Sequence, residues 1–141
     1  MKQLLITCCI ILLAAGCKKE LLDIDAGICF SVKDLLNSRN ADVACGNAAD
    51  FEGKVLCLTG TLDAENGMGL PQNFFLHDES RSLEIQIDST IAASVIALVT
   101  VNQGRFATVK GVMTGFDKPQ NFNCRRGFVQ HLSDIEDLEI R

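Results

Sequence analysis

The chain has 141 residues, which suits one domain of ordinary size. Its formal net charge of −5 sets it against phosphate backbones and anionic headgroups unless basic residues are concentrated locally. With no Trp and no Tyr, only Phe remains to stack on a base or a sugar, and no internal repeat or low-complexity segment is present.

Met1-Lys2-Gln3 is a short positive start, followed by an apolar run from Leu4 to Ala15, then Gly16-Cys17 and the polar Lys18-Lys19-Glu20. This order describes a secretory signal. The run is too short for a spanning helix, which needs ~20 apolar residues. Ala14, Ala15 and Gly16 directly before Cys17 resemble the bacterial lipobox, although Leu13 lies one place further back than the usual leucine. The resemblance implies cleavage before Cys17, a diacylglyceryl thioether on that cysteine and an acyl group on the new amino terminus. Several acyl chains anchor a protein stably where one chain is marginal. The alternative is an ordinary signal peptide with a cysteine at the cut. Loss of Lys2 with the signal takes the formal charge from −5 to −6. Lys18 after the cysteine, in place of Asp, resembles lipoproteins sent on to the outer membrane, so its periplasmic face is the expected location.

Residues 17–30 are expected to be lipid attachment and tether, with alternating Leu and Asp but no core face. Residues 31–50 hold a short helix and a linker: Ser31 caps Val32–Leu36, with Asp34 three places on. From Lys54 the pattern changes to strands. Leu56, Leu58 and Leu62 alternate onto one face, and Gly60 marks a bend or bulge. A short strand follows over Phe74–Asp78, then a tight turn, then a third strand in which Leu83, Ile85 and Ile87 alternate with Glu84, Gln86 and Asp88. The charge-free stretch Ser89–Asn102 places Ile91, Val95, Leu98 and Val99 on one helical stripe, with Ser89 as start cap and Gly104 as stop. A fourth strand is expected over Arg105–Thr114, a loop over 115–121, and a fifth strand from about Gly127 to Leu132.

Three strands, a helix and two strands, here preceded by a short helix that is additional, is the order of the oligonucleotide/oligosaccharide-binding (OB) fold, an all-β five-stranded Greek-key barrel. The stretch from Gly53 to Gly60, with Phe74–Asp78 and Leu83–Ile85, resembles the opening of anticodon-binding barrels and of small exported bacterial OB proteins. The resemblance covers residues 51–141. The expected barrel core is Leu56, Leu58, Leu62, Leu76, Leu83, Ile85, Ile87, Val109 and Met113. Another small β-barrel or a sandwich is the alternative.

Beside Cys17 the mature chain keeps Cys29, Cys45, Cys57 and Cys124, read first as disulfides in an exported protein. Four cysteines allow three pairings; Cys45 with Cys124 is preferred because both flank strands at turn-like positions. Free thiols are the other reading. The lack of any Cys-x-x-Cys or helical His pair argues against a metal site.

OB domains usually bind ligand on the outside of the second and third strands. The outward positions here are Phe75, His77, Glu84, Gln86 and Asp88, a face with two carboxylates and no Lys or Arg, which argues against nucleic acid. One basic group, Lys110, Lys118, Arg125 and Arg126, surrounds the loop between the last two strands, with Phe122 inside it. It is a candidate grip on an acidic partner, a phosphate or a glycan carboxylate, set against solvated loop charge offset by Asp117. His131 reads as a structural histidine, Ser80 as turn chemistry, and the charge-free helix as covered by the segment around Leu35-Leu36. No catalytic constellation and no cofactor is expected. The sequence therefore suggests a non-catalytic, membrane-tethered binding module of the cell envelope. A structural accessory subunit and a single-strand nucleic-acid binder are the alternatives.

Overall fold

The structure is a computed structural model, which describes residues 19–64, 72–119 and 123–141. Its first elements are a strand β1 (Cys29–Ser31) and a helix α1 (Val32–Asn37). Three strands follow: β2 (Val55–Asp63), β3 (Asn73–Asp78) and β4 (Arg81–Ile87). Then come α2 (Ala92–Val101), β5 (Phe106–Lys118), β6 (Arg125–Leu132), a 3-10 turn (Ile135–Asp137) and β7 (Leu138–Ile140). Strands β2, β3, β4, β6 and β5 are neighbours in that order, and β5 pairs back onto β2, so the sheet closes into a five-stranded barrel. All contacts in the ring are antiparallel except β4–β6, which is parallel. This closed path with one helix between the third and fourth barrel strands is the OB-type topology.

Alternation builds the interior. All nine expected core residues are buried, and Phe51, Phe74, Val95, Phe128 and Leu132 join them. Phe51 meets Phe128 edge-on, with ring centroids 4.8 Å apart. Gly60 lies where β2 passes from β5 to β3; a Cβ there would approach the His77 carbonyl oxygen to 2.8 Å. Two backbones therefore come close at that point, as a barrel corner requires. Gln130, fully buried in the interior, donates from Nε2 to the Leu56 carbonyl at 2.9 Å.

Several elements depart from the expected ones. Strand β5 continues through Gly115–Lys118, which was expected as loop, because each of these residues pairs with β6, ending at Lys118↔Arg125. In α1 the Ser31 Oγ accepts from Asp34 N–H at 3.0 Å, the expected cap. In α2 it is Asp88 and not Ser89 that organises the start: its Oδ1 accepts from the Thr90 backbone at 2.9 Å and from the Thr90 hydroxyl at 2.6 Å. Helix α2 turns Ala92, Val95 and Val99 inward. Its outer face is not covered by Leu35-Leu36; α1 packs against β1–β4, and Val101 at the end of α2 is 79% exposed.

The segment expected to be a tether is folded onto the barrel from Glu20 onward. Glu20 C=O accepts from Arg39 N–H at 2.8 Å, and Leu22 exchanges hydrogen bonds with the Asn40 side chain. Ile24 and Phe30 are buried, and β1 adds to β2 in parallel. A chain with only three-residue strands has no measurable period, so its packing was invisible to pattern reading. Residues 43–45 run antiparallel beside the start of β6, with Arg126 N–H bonded to Val43 C=O at 2.9 Å. Two disulfides tie this extension down. Cys45–Cys124 is the preferred pair, and Cys29–Cys57 joins β1 to β2.

Candidate functional site

Barrel strands expose alternate residues, so the ladder register fixes which outward side chains share a row. One row runs Asn73, Gln86, His131, Val112, Val55 across β3, β4, β6, β5 and β2. The next includes Phe75 opposite Glu84. Where these rows meet the ends of β4 and β6, a cavity of about 360 Å³ opens, lined by Asn73, Glu84, Gln86, Asp88, His131 and Ser133 among others.

Its charged groups are the carboxylates of Glu84 and Asp88. Asn73 Nδ2 donates to Glu84 Oε1 at 2.9 Å, and Gln86 Nε2 lies 3.5 Å from the same oxygen. Each amide thus directs one N–H at the same carboxylate oxygen, which leaves the second Glu84 oxygen for a guest. Asn73 Oδ1 is buried with no partner among the described residues. The Thr90 hydroxyl, then its backbone N–H, hold the Asp88 carboxyl below the usual carboxylate range. No Lys or Arg lines the cavity. Phe75, half-buried and opposite Glu84, lies on the same face but does not line the cavity.

The sequence-expected residues fall in three places. Phe75 lies at this face. His77 stands further along β3, where its Nε2 is 2.8 Å from Asp63 Oδ2, and it does not line the cavity. The basic group is divided: Lys110 is opposite Cys57, and Lys118 is eight residues on along the same strand, about 26 Å away at ~3.3 Å per residue. Arg125 pairs with Asp42 at 3.0 Å. Arg126 is not a free loop cation. Its Nε and Nη2 clasp both Glu52 oxygens at 3.0 and 2.7 Å, and its Nη1 reaches Asp117 at 2.8 Å. These hydrogen bonds, Arg126 foremost, lower the Glu52 carboxyl below its ordinary range. Phe122, Cys17 and the signal residues 1–16 lie outside the described residues.

Sequence reading missed the contribution of His131, Asn73 and Ser133. The alternation Gln130-His131-Leu132 was a usable signal for His131, since its neighbours are the inward pair. Nothing local marks Glu52 as the partner of a residue 74 positions away.

No protein-family model matches the chain, and no curated protein sequence matches it. Among solved structures it is similar to aspartyl tRNA synthetase from Entamoeba histolytica (TM-score 0.49, 9% identity, 89% of this chain and 25% of that one). It is similar to asparaginyl-tRNA synthetase from Pyrococcus horikoshii complexed with asparaginyl-adenylate (TM-score 0.46, 14% identity, 70% and 22%). It is also similar to Plasmodium falciparum SSB complexed with ssDNA (TM-score 0.39, 16% identity, 67% and 98%). The chain thus spans a quarter or less of either synthetase. At these levels no residue role is carried over. The OB-type assignment rests on the strand order and closure described above.

Proposed function

We propose that the chain is a non-catalytic binding module of the bacterial envelope. Lipid on Cys17 holds it on the periplasmic face of the outer membrane, and it takes a hydroxyl-rich glycan on the outer face of β3, β4 and β6. The observation that supports the ligand class is a cavity that carries the carboxylates of Glu84 and Asp88 and no Lys or Arg, with one N–H each of Asn73 and Gln86 turned to Glu84 Oε1. Carboxylate oxygens only accept hydrogen bonds, so this surface suits a guest that donates them. Sugar hydroxyls donate; phosphate oxygens do not. Phe75 offers a face for the C–H side of a sugar ring. The carboxylates of Glu84 and Asp88 repel a nucleic-acid backbone at the same place.

Two measurements test the reading. The full chain is titrated calorimetrically with a panel of neutral oligosaccharides, alongside Glu84→Ala and Gln86→Ala. Saturable binding that falls in both variants is expected, whereas binding that neither variant alters contradicts the site. Metabolic labelling with a fatty acid should mark the wild type and not Cys17→Ser; a labelled serine variant contradicts the anchor.

A further inference from the structure

A second cavity lies where the barrel wall parts. The β4–β6 ladder runs from Glu84↔Val129 to Ile87↔Leu132 and stops there; before that register Arg81–Leu83 keeps β3 as its one strand partner among the described residues. The opening has a volume of about 360 Å³, with Leu36 of α1 and Ala41 on one side and Phe116 and Lys118 of β5 on the other. Arg81, Lys118 and Arg126 line it with the hydroxyls of Ser80 and Ser82, and no carboxylate does. In a chain of net charge −5, a cavity lined by three cations is an inversion of the surrounding field.

The three cations are not equivalent. Arg126 is neutralised by Glu52 and Asp117 and forms the fixed wall. Arg81 gives its Nε to Asn37 Oδ1 at 2.8 Å, a neutral partner that aims the guanidinium and leaves its charge uncompensated. Lys118, at the exposed end of β5, has no ion pair among the described residues. Beside them Phe116 is 45% exposed, its ring lying across Gly127, where a Cβ would collide with it. Two uncompensated cations, two hydroxyls, one aromatic ring and an unpaired strand edge thus border a single opening.

We infer that this groove binds a carboxylate carried by an extended acidic segment of a protein partner. The Arg81 guanidinium matches a carboxylate in its two-toothed geometry. Lys118 adds the second charge. Phe116 covers the aliphatic stem of the Glu or Asp, and the edge of Arg81–Leu83 offers main-chain groups to an extended chain. The inference is independent of the glycan face, which shares no residue with this groove.

The test is fluorescence anisotropy on the full chain with three labelled probes: a Glu-rich decapeptide, the same peptide with Gln for Glu, and a single-stranded DNA decamer. The Glu peptide is expected to bind, more weakly as salt shortens the Debye length, and the Gln peptide not to bind. Arg81→Gln and Lys118→Gln should each weaken it by about tenfold. Because Arg81 also touches Asn37, Lys118→Glu serves as the variant at an exposed position, with urea unfolding as a check that the fold is intact. Equal affinity for the two peptides, no binding of the Glu peptide at low salt, or an unchanged affinity in both Lys118 variants overturns the inference. Preference for the DNA decamer overturns it in favour of phosphate.

Discussion

Replacing Cys45 and Cys124 together by Ser removes the bridge that locks residues 43–45 beside β6. The two cysteines are 79 positions apart, and the chain-entropy relation for a loop of that length gives about 4.5 kcal/mol at 25 °C. For Cys29–Cys57, 28 positions apart, it gives about 3.6 kcal/mol. The two loops interlock, but neither bridge offers a shorter path around the other's loop, so each value applies with the other bridge intact. At ~0.24 kcal/mol per kelvin for the 113 described residues, loss of the long bridge lowers Tm by about 19 °C. Urea unfolding of the two double-serine variants under non-reducing conditions reads both costs. The Cys45/Cys124 variant should be the less stable by about 0.9 kcal/mol. If the Cys29/Cys57 variant were equally or more destabilised, the constraint on the unfolded chain would not be what makes these bridges stabilising.

Glu52→Gln should flatten the acid limb of the stability curve: the folded Glu52 pKa is lowered, chiefly by hydrogen bonds from Arg126, so its contribution is full above the ordinary Glu value of about 4.3 and is lost as pH falls through the depressed one. Wild-type and variant unfolding midpoints between about pH 2 and 7 check this. Phe51→Ala, at a residue with no exposure and an edge contact to Phe128, should cost about 3–5 kcal/mol in urea unfolding. Gly111→Ala should destabilise more than Gly127→Ala by the same assay. The new Cβ meets the His131 backbone carbonyl at 111, but only the movable Phe116 ring at 127.

Legibility in the sequence followed the physics of each signal. The inward positions of β2, β4 and β5 alternate cleanly, because one face of each strand is buried, and every expected core residue was found inside. The barrel order was readable from the elements' succession. The amino-terminal extension was not: β1 is three residues long, and its attachment depends on a side chain, Asn40, that bonds Leu22 from 18 positions away. For the same reason Arg126 read as loop charge, since its partner Glu52 lies on the other side of the sequence from the barrel strands. The acidic outer face was visible as Glu84, Gln86 and Asp88, but the hydrogen bonds that tie it together were not. They run from one N–H each of Asn73 and Gln86 to a single Glu84 oxygen, which only side-chain geometry reveals.

The central claim is that the outer face of β3, β4 and β6 takes a hydroxyl-rich guest. Amide chemical-shift mapping of the chain during titration with neutral oligosaccharides tests it most directly. The account requires saturable shifts centred on Asn73, Glu84, Gln86 and His131, with Arg81 and Lys118 unmoved. Saturable shifts centred on the second cavity, or none on the β3–β4–β6 face at any glycan tested, would contradict it.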